Sequence, residues 1–155
     1  MRLTKRQEEA ITALVGKPYV LGGDGGFVGS GGGFDCYTCA RRVLTILDPD
    51  GPVLPALEGG YDEEGSLSIP GLMNYYALFE QCAEKAGAIA AMSSMKWRTR
   101  AAGGVAPPDD HLAIVLPSPW RGRLIHARGG VGVVIEPIET WRERITGFYE
   151  LKAGG

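Results

Sequence analysis

Apolar positions follow helical spacing in the first half of the chain and change to short strand-like runs in the second half. Over residues 4 to 15, Ile11, Leu14 and Val15 form one stripe, with Thr4 placed to cap the start and Gly16 to close the end. Over 35 to 47, Cys36, Ala40, Val43, Leu44 and Leu47 share a face. Asp35 stands at the N-cap position, and Asp48-Pro49-Asp50-Gly51-Pro52 supplies the stop. A further helix is predicted over about 71 to 86, with Leu72, Tyr76, Phe79, Ala83 and Ala86 on one side and Cys82 packed beside them. After Gly87 the runs are Ala88–Met92, Lys96–Arg100, His111–Leu116, Arg123–Ala127, Val131–Ile135 and Ile145–Leu151. Pro117-Ser118-Pro119 and Gly129-Gly130 mark turns between them. Short strands this close together read as an antiparallel meander. Helices first and sheet second make the class α+β, with N-terminal helices packed on a C-terminal antiparallel sheet of about five strands.

Composition narrows the function classes. One domain spanning 1–155 accounts for the length, and 45% hydrophobic with 22% charged residues is ordinary for a globular protein. A formal net charge of −2 leaves no basic field for nucleic acid or anionic lipid. No run is long and apolar enough to span a membrane. Met1 to Glu9 is charged and shows no signal peptide, so the expected location is cytoplasmic or virion-associated. The three cysteines, Cys36, Cys39 and Cys82, are too few and too odd in number for a disulfide scaffold. Gly22 to Gly33 is glycine-rich but lacks the Gly-Lys-Ser/Thr ending of a phosphate loop, so a lip that brings backbone close to a site is the better account. Residues 48 to 70, with four prolines and Asp62-Glu63-Glu64, read as an irregular excursion, either a solvated surface loop or one wall of a cleft.

Cys36 carries the candidate chemistry. It falls in the first turn of a helix, where unpaired backbone N–H groups and the helix dipole favour thiolate over thiol. The chain has only two histidines, His111 and His126, on adjacent strand-like runs. Direct opposition of the two would centre the turn between Ser118 and Pro119, where the turn chemistry lies, and would put both imidazoles on one face with Cβ atoms about 4.5–5.5 Å apart. Cys36 could then attack a carbonyl carbon, with His111 taking the thiol proton and returning a proton to the leaving amine. His126 would bond the far nitrogen of His111 and fix its tautomer, and the Cys36 N–H would face the oxyanion. Asp109 and Asp110 precede His111 and could favour its imidazolium form, although a loop carboxylate is usually only solvated. Cys39 reads as a small packing residue. Cys36-x-x-Cys39 with two histidines also makes a possible zinc set, but the cysteine pair lies in a helical pattern rather than on a tight knuckle.

In order along the chain, Pro18-Tyr19-Val20-Leu21-Gly22-Gly23, Asp35-Cys36, His111-Leu112-Ala113-Ile114-Val115 and Leu124-Ile125-His126-Ala127 resemble the NlpC/p-sixty family of papain-like cell-wall cysteine peptidases. The resemblance spans about residues 5 to 150, and Gly130-Val131 fits the family's following strand. It implies a papain-like fold with Cys36 as nucleophile, His111 as base, His126 as third polar residue and Tyr19 beside the oxyanion. It also implies hydrolysis of an amide bond in peptidoglycan stem peptides, with no cofactor and no metal. The chain departs from the family's Asp-Cys-Ser-Gly at Tyr37 and Thr38, and from its Gly-Asp at Gly87-Ala88. A phage or prophage setting, with tail proteins as partners, fits the missing signal peptide. The alternatives are a phage tail or structural module that keeps the fold without catalysis, and an amide or acyl transferase using the same triad.

Overall fold

The computed structural model describes residues 1–20, 33–54, 79–93 and 111–152. The glycine-rich stretch to Gly32, most of the 48–70 excursion, the 71–78 part of the third expected helix, the Lys96–Arg100 run and Asp109-Asp110 lie outside them. Helix α1 (Lys5–Leu14) and helix α2 (Cys36–Leu47) stand where the apolar stripes put them. Each starts in a reciprocal capping box, Thr4 with Gln7 and Asp35 with Thr38. The Gln7 side chain also donates to the carbonyls of Ile46 and Leu47, so α1 satisfies the open end of α2.

Six strands form one antiparallel sheet: β1 (Phe79–Cys82), β2 (Ile89–Met92), β3 (His111–Val115), β4 (Arg123–Arg128), β5 (Gly132–Pro137) and β6 (Ile145–Leu151). Their order is β1-β6-β2-β3-β4-β5. Only β2 to β5 follow the expected meander. The last strand returns to lie between β1 and β2, and a short helix α3 (Ile138–Trp141) with a 3₁₀ turn (Arg142–Arg144) makes that return. The class is α+β as expected, with six strands among the described residues rather than about five.

The expected helix over 71–86 is corrected in its described part. Phe79–Cys82 is a strand paired with Leu151 to Phe148 of β6. Its Phe79 side packs on the helix-side core and its Cys82 side on the opposite cluster. Helical spacing is a local signal, whereas this segment gains its backbone hydrogen bonds from residues some seventy positions away.

Alternation along the strands sorts the core into two layers. Ile89, Ala91, Leu112, Ile114, Ile125 and Ala127 face α1 and α2, against Ile11, Tyr37, Ala40 and Val43. Ala88, Ala90, Met92, Ala113, Val115 and Leu124 face the other way, against Ile138 and Trp141. Tyr37, which departs from the family pattern, is buried in the helix-side core.

The segment after α1 is pinned to β5. The Gly16 N–H donates to Val133 O, and the Val133 N–H donates to Lys17 O, both at 2.9 Å. Close approach requires glycine at Gly132, where φ is +99° and an added Cβ would lie 2.4 Å from Lys17 O. Gly132→Ala is therefore expected to cost about 2–3 kcal/mol in denaturant unfolding, and a variant as stable as the parent would refute this account of the contact.

Candidate active site

Cys36 begins α2, and the residues before it are docked on the chain after α1. Val20 N–H donates to Phe34 O and Phe34 N–H donates to Pro18 O, both at 2.9 Å, with Tyr19 and Phe34 bridged in parallel. Gly33 permits this approach, since a Cβ there would sit 2.3 Å from the Val20 side chain. The same pairing brings Tyr19 and Cys36 to one place. Asp35 is buried, and its carboxylate accepts from the Thr38 N–H at 2.8 Å and from the Thr38 hydroxyl at 3.0 Å.

His111 opens β3 opposite Met92, the last residue of β2. Arg128 ends β4, so these three strand ends lie at one end of the sheet. A cleft of about 340 Å³ opens there. Its lining combines Tyr19 and Cys36 from the helix side with His111, Arg128, Trp141 and Arg144 from the opposite layer. Alternation puts both histidines on the sheet face turned away from α2. The thiol and the imidazole share the cleft around the sheet's end.

The register between the histidines also differs from direct opposition. Ile114 faces Ile125 and Val115 faces Leu124, which centres the turn one residue later, between Pro119 and Trp120. Carried along the strands, this offsets His111 and His126 by two residues. An even offset keeps both side chains on one face, and a diagonal pair remains within reach of long side chains. His111 Nε2 and His126 Nδ1 are 2.7 Å apart, with the rings edge to face at 4.9 Å between centroids.

His126 is fully buried and has a second partner. Its Nε2 lies 2.8 Å from Glu136 Oε1, on β5. Its ring also meets Trp141 edge to face, at 4.8 Å. Burial, with the Arg128 charge nearby, pushes its pKa down to about 3 and keeps the ring neutral. Arg128 reaches the same Glu136 oxygen at 3.4 Å, and the guanidinium groups of Arg128 and Arg144 each lie 5.0 Å from the Trp141 ring. Ser93 N–H donates to Arg144 O at 3.0 Å and holds that arginine at the cleft.

Glu136 is the residue that sequence reasoning missed. The expected strand stopped at Ile135, one position short. A signal was present: a hairpin centred on Gly130 puts Val134 opposite His126, and Glu136 is the next residue on the same face. Trp141 and Arg144 left no pattern, since both belong to a return segment that sequence periodicity did not mark.

Cys39 faces the core. Its thiol is pushed up to about 12, first by burial and then by the Cys36 and Asp35 charges, so it is a packing residue and not a nucleophile. All three cysteines are free thiols. Among the described residues, no group of three or more His, Cys, Asp or Glu side chains is arranged to hold a metal ion. No helix among them is long and apolar enough to cross a membrane.

No protein-family model matches the sequence, and none of the curated proteins matches it. A solved structure does match in shape. It is described as similar to a lipoprotein of the NLP/P60 family, from Staphylococcus aureus subsp. aureus Mu50. The superposition has a TM-score of 0.53 at 17% identity and covers 97% of this chain and 43% of that one. The chain therefore has an NLP/P60-like α+β fold. At that identity the likeness speaks for the fold alone, and this chain spans less than half the length of its structural neighbour.

Proposed function

We propose that the protein is a cysteine peptidase or amidase that hydrolyses an amide bond in peptidoglycan stem peptides. The observation that carries this reading is the shared cleft. A cysteine at a helix N-terminus lines it together with a histidine whose far nitrogen is already bonded to a second, buried histidine. Cell-wall peptides as the substrate class follow from the resemblance of the chain's motifs to the NlpC/p-sixty peptidases, and the NLP/P60-like fold is consistent with that class.

The residues take these roles. His111 accepts the Cys36 proton, and the sulfur attacks the scissile carbonyl carbon. The C=O π pair moves to oxygen, which the Cys36 N–H and the Tyr19 hydroxyl stabilise. The oxyanion collapses, the C–N bond breaks, and His111 gives its proton to the departing amine. Water, deprotonated by His111, then attacks the thioester carbon, the C–S bond breaks with its electron pair going to sulfur, and the acid leaves with Cys36 restored as thiolate beside the His111 imidazolium. Throughout, His126 holds His111 by its Nε2 edge. Arg128 and Arg144 give the cleft a cationic wall suited to the carboxylates of a stem peptide.

Incubation with purified muropeptides and mass analysis tests the reading. The parent chain should yield new fragments, and Cys36→Ala should yield none. Fragments that survive the substitution, or a parent that yields none, would refute the proposal.

A further inference from the structure

We propose that Glu136 is a positioning residue of this site, which through His126 fixes the proton arrangement that puts the lone pair of a neutral His111 on Nδ1, the basic nitrogen. The inference rests on the reading of Cys36 and His111 as nucleophile and base, and extends it by one residue that the three-residue reading does not contain.

The hydrogen bonds settle the direction. A carboxylate only accepts, so His126 Nε2, at 2.8 Å from Glu136, must carry a proton. His126 is fully buried and neutral, and a neutral imidazole has one N–H. Its Nδ1 is then an acceptor. His111 Nε2, 2.7 Å away, must be the donor in that bond. The lone pair of a neutral His111 is therefore on Nδ1, the nitrogen not engaged by His126. Without Glu136, the His126 proton could sit on either nitrogen. With it on Nδ1, His111 would accept at Nε2 and carry its own proton at Nδ1, which is the wrong form for a base.

Arg128 works against this line. Its guanidinium shares the Glu136 oxygen at 3.4 Å and lines the cleft. Among the described residues, the charged and titratable groups around the pair are Cys36 of α2 and its N-cap Asp35, Tyr19, Arg128 on β4, Glu136 on β5 and Arg144 after α3. Asp35 is turned back onto Thr38, and β2 brings no charge. When His111 becomes imidazolium, Glu136 stabilises it through His126 and Arg128 opposes it.

The test measures iodoacetamide alkylation at Cys36, read by fragment-ion mass spectrometry, as the ratio of the rate at pH 6.5 to that at pH 9.5. The ratio reports the thiolate–imidazolium pair, since at the higher pH thiolate forms without it. In Glu136→Gln the ratio should fall about five- to tenfold, close to one pK unit of lost stabilisation. In Arg128→Gln it should rise. A packing role for either side chain would not move the ratio in opposite directions. A folded Glu136→Gln within twofold of the parent would overturn the proposal, as would an unchanged or lowered ratio in Arg128→Gln, which decides the matter if the first variant does not fold. His111→Ala separates the two levels. If the parent ratio does not exceed that of His111→Ala, the nucleophile–base reading fails and this proposal with it. If it does exceed it while Glu136→Gln is unchanged, only the role of Glu136 fails.

Discussion

His111→Ala is expected to lower kcat on a muropeptide by about 10²- to 10⁴-fold, the usual range for a positioned general acid–base, with KM little changed. Two proton transfers pass through this one ring in the proposed mechanism. No other imidazole can replace it, because His126 has both nitrogens committed and is fully buried. The change should leave the fold intact, since His111 is half-buried at the end of its strand and the core on both sheet faces is built by other residues. Steady-state kinetics beside a thermal unfolding curve checks this. A loss below tenfold, or one explained by lost stability, would remove His111 from the chemistry.

Acid should destabilise the protein through His126. In the folded state its pKa is about 3, below the ordinary value of 6.5, so the folded ring stays neutral while the unfolded ring takes up a proton as pH falls through 6.5. The unfolded state then binds more protons, and stability falls with falling pH from about 6.5 down to about 3. Above 6.5 both states are neutral and the contribution is flat. Between pH 7 and 5 the expected loss from this residue is about 2 kcal/mol. His126→Gln cannot titrate. It should be less stable at pH 7 because a buried bonded ring is lost, and its stability should depend less on pH by that amount. Urea unfolding of both proteins at the two pH values measures the difference, and parallel losses would show that the buried ring does not titrate on unfolding.

The helices were legible because their signals are local. Thr4 with Gln7 and Asp35 with Thr38 cap on side chains three residues away, and the stripes behind them need no distant partner. Five strands of the second half were legible for the same reason, within a residue or two at their ends. The segment Phe79–Cys82 was not, because its pairing with β6 spans most of the second half of the chain. The proposed nucleophile and both histidines stood out by type and spacing. Their shared face survived a turn misplaced by one residue because that shifts the strand register by two, an even number.

The sequence by itself determined the α+β class, the cysteine at a helix start and two imidazoles on one strand face, since capping, periodicity and alternation act over a few residues. Tertiary structure alone decided that Cys36 and His111 line one cleft at the end of the sheet. It also put Glu136 behind His126, and Trp141 with its two arginines beside the cleft. Those contacts depend on strand register and on the return of the chain through α3, and both are fixed by burial of a whole face rather than by any neighbouring residues.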